Sequence, residues 1–285
     1  MQTPPMSNYI EKNPYKAINY FKQATEIDPL SRLGWLWLGS QYDQIENYED
    51  ALLSYEQILK LNNQLGSWKN QWYYTFLGRV YRKLGKYKKA QNLYKEGFQL
   101  FPDSWYIPMG QAKCALLQND TSSANHYINQ FKSAYIKAEG PYEAIKIAFV
   151  GAIYSDVGQF KKAEELYRLS REVRINQGYN IDTTFGGNHL FWAYDILGRF
   201  LIDNNINVEE GMEYIHIALD LSKESEVFSD HHQMLHGLGW GYYKQGKYEE
   251  ALQALKQAEE RMPDYNHTLH QRIKEVEQAI VKQNQ

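Results

Sequence analysis

The chain has 285 residues, 43% hydrophobic and 23% charged, with a formal net charge of −3. That balance fits an ordered soluble fold and excludes both an extended disordered chain and the broad positive surface that nucleic-acid binding requires. A single cysteine, Cys114, excludes an internal disulfide framework. With no apolar run of about 18 residues and no apolar centre in Met1–Asn13, neither a membrane span nor a signal peptide is expected, and the chain reads as cytoplasmic.

In chain order, the first predicted element is a lone helix over about 14–28, with Ala17, Ala24 and Pro29 at offsets of seven and five. Next comes Trp35-Leu36-Trp37-Leu38-Gly39-Ser40-Gln41-Tyr42, followed by Ala51 and Tyr55, and this arrangement recurs. Gly39 and Ala51, Gly78 and Ala90, Ala112 and Ala124, Gly151 and Ala163, and Gly239 and Ala251 are each twelve residues apart, and Gly198 and Gly211 thirteen. Small residues at these places let two antiparallel helices approach to roughly 8–10 Å, while Leu38, Tyr42 and Tyr55 fill the seam at helical spacing. Gly85, Gly158 and Gly246 mark turns where a left-handed residue closes a helix. Pro29, Pro102 and Pro263 end second helices, because proline cannot continue the hydrogen-bond ladder. Helix pairs are thus predicted over about 32–65, 71–104, 105–138, 144–177, 191–225 and 232–265, with a final amphipathic helix over 268–282. The third pair has Ala112 in place of Gly and a turn at Asn119–Ser122; the fifth has a turn, Asp203–Asn207, without the Gly-x-aromatic ending. Gly178–Asn188, ahead of the fifth pair, is an extra loop or a lengthened helix, and about five residues near Gly66–Asn70 are inserted. Sustained period-two alternation is missing, so strands are not expected.

The W-x-x-L-G-x-x-Y run, the following A-x-x-x-aromatic and their recurrence resemble the tetratricopeptide repeat, a helix–turn–helix unit of about 34 residues. The resemblance implies an all-α fold: a right-handed superhelical solenoid of antiparallel helix pairs, forming one domain over 1–285 and closed by a C-terminal capping helix. It also implies first helices that line a concave groove, a non-catalytic role, no cofactor, and a protein or peptide partner. Projecting the first helices places Trp37, Trp72, Phe76, Arg79, Arg82, Tyr106, Lys113, Phe149, Trp192, Arg199, His236 and Trp240 among the inward-facing residues. Aromatics and arginine are favoured binding anchors, since they join large contact area to directed polar groups; the alternative is that these aromatics are core. The Lys/Asn set by which chaperone-tail-binding members clamp a terminal carboxylate is not present: Leu36, Ser40 and Phe76 stand at its places.

Other features carry weaker readings. His232 and His236 share a helix face at metal-ligand spacing, but Gln233 replaces the glutamate of the metalloprotease motif. Gly237-Leu238-Gly239-Trp240-Gly241 is absorbed by the repeat, and Asn119-Asp120-Thr121 and Asn266-His267-Thr268 matter as glycosylation triplets only in a secretory pathway. The strip Arg79, Arg82, Lys83, Lys86, Lys88 and Lys89 reads as a solvated surface or an acidic-segment contact, and Cys114 as a buried inert thiol. Before Pro14 there is no room for a complete first helix. Either Met6–Lys12 supplies a short cap, or the sequence is a piece of a longer protein, the reading favoured here. An uncapped first helix would expose Tyr15, Ile18 and Phe21 and support a homodimer. A regulatory domain that senses a ligand or peptide for an attached output domain is the second functional reading.

Overall fold

The computed structural model describes residues 13–66, 68–139, 142–176, 190–223, 231–262 and 266–285. Fourteen α-helices and no strand occur among these described residues. Met6–Lys12, Gly178–Asn188 and Pro263, each singled out from the sequence, lie outside them.

The helices fall into two compact units. In the first, α1 (Pro14–Ile27) packs on α2 (Arg32–Gln44), and hairpins are formed by α2 with α3 (Tyr48–Leu65), α4 (Gln71–Lys83) with α5 (Tyr87–Leu100), and α6 (Tyr106–Leu117) with α7 (Thr121–Glu139). In the second, α8 (Glu143–Ser155) pairs with α9 (Phe160–Asn176), α10 (Leu190–Asp203) with α11 (Val208–Lys223), and α12 (His231–Lys244) with α13 (Tyr248–Arg261), while α14 (His267–Gln283) lies on α13. Each unit is thus an all-α stack of antiparallel helix pairs, as the repeated spacing predicts.

Local chemistry starts these helices. The side-chain oxygens of Asn13, Ser31, Asn47, Asn70 and Asn266 accept hydrogen bonds from first-turn N–H groups of α1, α2, α3, α4 and α14, satisfying donors that have no partner within the helix. Pro14 sits in the first turn of α1, where its missing N–H costs nothing.

One turn serves all six hairpins. Glu46, Gly85, Asn119, Gly158, Asn205 and Gly246 each have a positive φ, between +53° and +78°. Each lies seven residues after the small residue of its first helix. In every case the next N–H bonds a carbonyl five residues back, from Asn47 to Tyr42, Lys86 to Tyr81, Asp120 to Ala115, Gln159 to Tyr154, Ile206 to Leu201 and Lys247 to Tyr242, at 2.7–3.0 Å. This pattern satisfies the last carbonyls of the first helix and reverses the chain. The two turns that departed from the sequence pattern therefore have the same backbone as the rest, with asparagine in the left-handed place.

The small residues of the first helices make room for the second. A Cβ on Gly39 would fall 2.5 Å from the Tyr55 ring, and one on Gly78 2.3 Å from that of Tyr94. Both rings are fully buried, beside Ala51, Ile58, Leu77 and Ala90. In the second unit Phe191, Ile202, Met212 and Ile215 form one cluster, and α14 places Leu269, Ile273 and Val276 against Ala251, Leu255 and Ala258.

At the start of the chain the structure corrects an expectation. Tyr15 is exposed, but Ile18 and Phe21 are buried with Ala17. They lie on the face of α1 that meets α2, so the apolar surface available for self-association is smaller than the sequence suggested.

Candidate functional site

First helices share a face in each unit: α2, α4 and α6 are neighbours in the first, and α8, α10 and α12 in the second. Side chains one turn apart on neighbouring helices therefore form rows. The most continuous row is in the first unit. Trp72 stacks on Phe76 at 5.5 Å between ring centroids and meets Tyr106 of α6 at 5.2 Å, and Tyr106 stacks on Trp105 at 3.7 Å. Arg79 continues the row, its guanidinium carbon 5.6 Å from the Phe76 centroid. Trp72 and Phe76 are half-buried, with one side on the core and one side open, and Tyr106 is exposed.

Arg79 also bridges helices, since its Nη2 donates to Asp43 Oδ2 on α2. The Asp43 side chain is 3% exposed, whereas that of Arg79 is 45% exposed. Burial raises the Asp43 carboxyl above its ordinary value and Arg79 pulls it back. Burial likewise works against the Arg79 charge, but the adjacent carboxylate more than restores it, and its pKa is raised. The result is a pair whose acid is enclosed and whose basic side chain is partly open to solvent.

The second unit is built differently. Arg199 bonds Asp195 twice, at 2.9 and 2.6 Å, and reaches Gln233 Oε1 at 3.0 Å. Trp240 is stacked on Tyr243 at 4.5 Å and covered by Arg272 of α14 at 4.5 Å. His236 Nε2 lies 3.1 Å from Arg272 Nη1. Burial, then the charges of Arg272 and Arg199, push the His236 imidazole down to about 3. It is neutral at ordinary pH, and its Nε2 accepts from the arginine.

The structure thus sorts the twelve residues taken from the sequence. Trp72, Phe76, Arg79 and Tyr106 come together on one surface. Trp37, Lys113, Phe149, Trp192, Arg199 and His236 are half-buried on their first helices. The indole N–H groups of Trp37 and Trp192 are enclosed with no acceptor among the described residues. Arg82 and Trp240 are buried, 7% and 8% exposed, and do not present an open face. Arg82 turns toward the buried Tyr94 hydroxyl, and Trp240 is roofed by α14. Sequence projection missed Arg272, because α14 was read only as a capping helix, and Trp105, which carries no repeat signal of its own. Cys114 is buried, its thiol pushed up to about 11 by burial, which keeps it protonated and unreactive. Among the described residues no three His, Cys, Asp or Glu side chains converge as a metal site, and no helix is long and apolar enough to cross a membrane.

Comparison with known proteins agrees with the helix register. Models of the tetratricopeptide repeat match residues 34–65, 72–104 and 233–265. The chain carries tetratricopeptide repeats at these three places. The RNA polymerase II-associated protein 3 of Xenopus tropicalis is 23% identical over 64% of this repeat chain, which spans 26% of that protein's length. The solved structure of yeast Tom70 superposes with a TM-score of 0.51 at 16% identity, over 99% of this chain and 62% of that one. A tetratricopeptide repeat protein from Parabacteroides merdae matches with a TM-score of 0.49 at 16% identity, over 92% of both chains. At 16% identity the likeness to Tom70 concerns the fold alone. Tetratricopeptide repeat proteins are generally protein-interaction scaffolds.

Proposed function

We propose that the chain is a non-catalytic scaffold that holds a peptide segment of a partner protein on the first-helix face of its first unit. Trp72, Phe76 and Tyr106 anchor the segment, and Arg79, whose side chain is partly open to solvent, receives an acidic or carbonyl group from it. The observation that carries this reading is the unbroken row from Tyr106 through Trp72 and Phe76 to Arg79 across two first helices. Preformed helices hold these groups, so little ordering cost opposes binding. Aromatic and arginine side chains set in such a row are the residue types that dominate binding energy. Asp43 holds the guanidinium by one nitrogen and leaves its other donors for a ligand.

The test is selection from a random peptide library on the full chain, followed by affinity measurement on variants. Trp72→Ala and Phe76→Ala are each expected to weaken the selected peptide by roughly tenfold or more, the cost of losing a central anchor. Leu53→Ala, an exposed residue on second helix α3, is expected to leave it unchanged. Equal affinity for all three variants and the wild type would remove this face from the account.

A further inference from the structure

In the second unit Asp203, His236 and Trp240 surround the head of Arg272 with three different kinds of contact. Nη2 donates to Asp203 Oδ1 at 2.7 Å, Nη1 donates to His236 Nε2 at 3.1 Å, and the guanidinium carbon lies 4.5 Å from the Trp240 centroid. The set comes from α10 and α12; Arg272 alone comes from α14. A planar cation with separate N–H vectors fills all three contacts at once, whereas an ammonium group cannot. The Arg272 side chain is 13% exposed and that of Asp203 39%, so solvent reaches the carboxylate end of the site.

From this geometry we infer that Asp203, His236 and Trp240 form a guanidinium-binding site for an arginine side chain of a partner protein, filled in the free chain by Arg272. The site lies outside the aromatic row of the first unit, and the inference does not depend on that row. Three considerations support exchange. The site's three members belong to the repeat hairpins, so it persists when Arg272 leaves. Helix α14 is fixed by Leu269, Ile273 and Val276, so the guanidinium can swing out by rotamer changes without undocking the helix. Asp203 is open to solvent, so water can take the place of the guanidinium at the carboxylate as Arg272 leaves. Arg272 therefore acts as a competitor in cis, and a partner's arginine binds only as often as the site is vacated.

The experiment uses the full chain and the probe Nα-acetyl-arginine N-methylamide, with the corresponding blocked lysine as control, read by calorimetry or by amide chemical shifts. Arg272→Ala vacates the site, and Arg272→Met does so while keeping an unbranched apolar stem over Trp240, which protects folding. Each is expected to bind the arginine probe roughly tenfold more tightly than the wild type, because the internal competitor is gone. The blocked lysine should gain nothing, and adding Asp203→Asn to Arg272→Met should abolish the gain. Trp72→Ala should not affect it, which separates this site from the peptide face. No gain for arginine in either Arg272 variant, or an equal gain for lysine, would overturn the inference and leave Arg272 as packing for α14.

Discussion

Two glycines of the second hairpin are required for different reasons, and their substitution separates the two. Gly78 has an ordinary helical backbone, but a Cβ there meets the buried Tyr94 ring at 2.3 Å. Gly85 has open space around it and a φ of +70°. Gly78→Ala is therefore expected to destabilise by about 1–3 kcal/mol through overpacking, and Gly85→Ala by about 1 kcal/mol through backbone strain alone. Glu46 holds the same left-handed place in the first hairpin with a side chain poorly suited to it. Glu46→Gly should raise stability by about 0.5–1 kcal/mol. Denaturant midpoints with unchanged slopes would check all three; a Glu46→Gly protein no more stable than the wild type would show that the left-handed turn is not strained. Three of the six turn residues were legible as glycines. Asn119 and Asn205 fell within turns placed from the sequence, but nothing in composition marked them, or Glu46, as the left-handed residue.

Between elements, the ion pairs divide by exposure. Lys137 and Asp103, both well exposed, join α7 to the end of α5 across an open cavity lined also by Phe98, His126 and Gln130, and such a pair contributes little. Arg168 of α9 is different: it bonds Glu210 of α11 through both terminal nitrogens, at 2.7 and 2.8 Å, and Tyr214 donates to the same carboxylate at 2.7 Å. The hydrogen bonds from Arg168 hold the Glu210 carboxyl down at about 2, against an ordinary 4.5. A depressed carboxyl stabilises the fold fully above its ordinary value and loses that contribution as pH falls from about 4.5 through about 2. Glu210→Gln should therefore show a shallower loss of stability than the wild type across that window, with the two converging toward pH 2. Parallel curves in thermal melts would mean that the pair does not couple to folding. Neither Glu210 nor Arg168 stood out in the sequence, since second-helix charges at helical spacing look like any solvated face.

For the molecule as a whole, the repeat was legible because it is a local code. Small residues recur at a fixed offset, and each helix pair needs only its own spacing and its neighbour to form. The candidate face was legible in part for the same reason: first-helix projection found Trp72, Phe76, Arg79 and Tyr106. What it could not supply was partnership. The pairing of Arg79 with Asp43, the bidentate hold of Asp195 on Arg199, and the burial of Arg82 and Trp240 depend on how far each helix is rotated and on what α14 covers. Spacing along one helix carries none of that information. The central claim is that the face formed by α4 and α6 in the first unit is where a partner's segment lies. Amide hydrogen exchange of the full chain, with and without a library-selected peptide, tests it most directly. The account predicts added protection concentrated in residues 71–83 and 106–117; protection confined to the second helices 87–100 and 121–139 would contradict it.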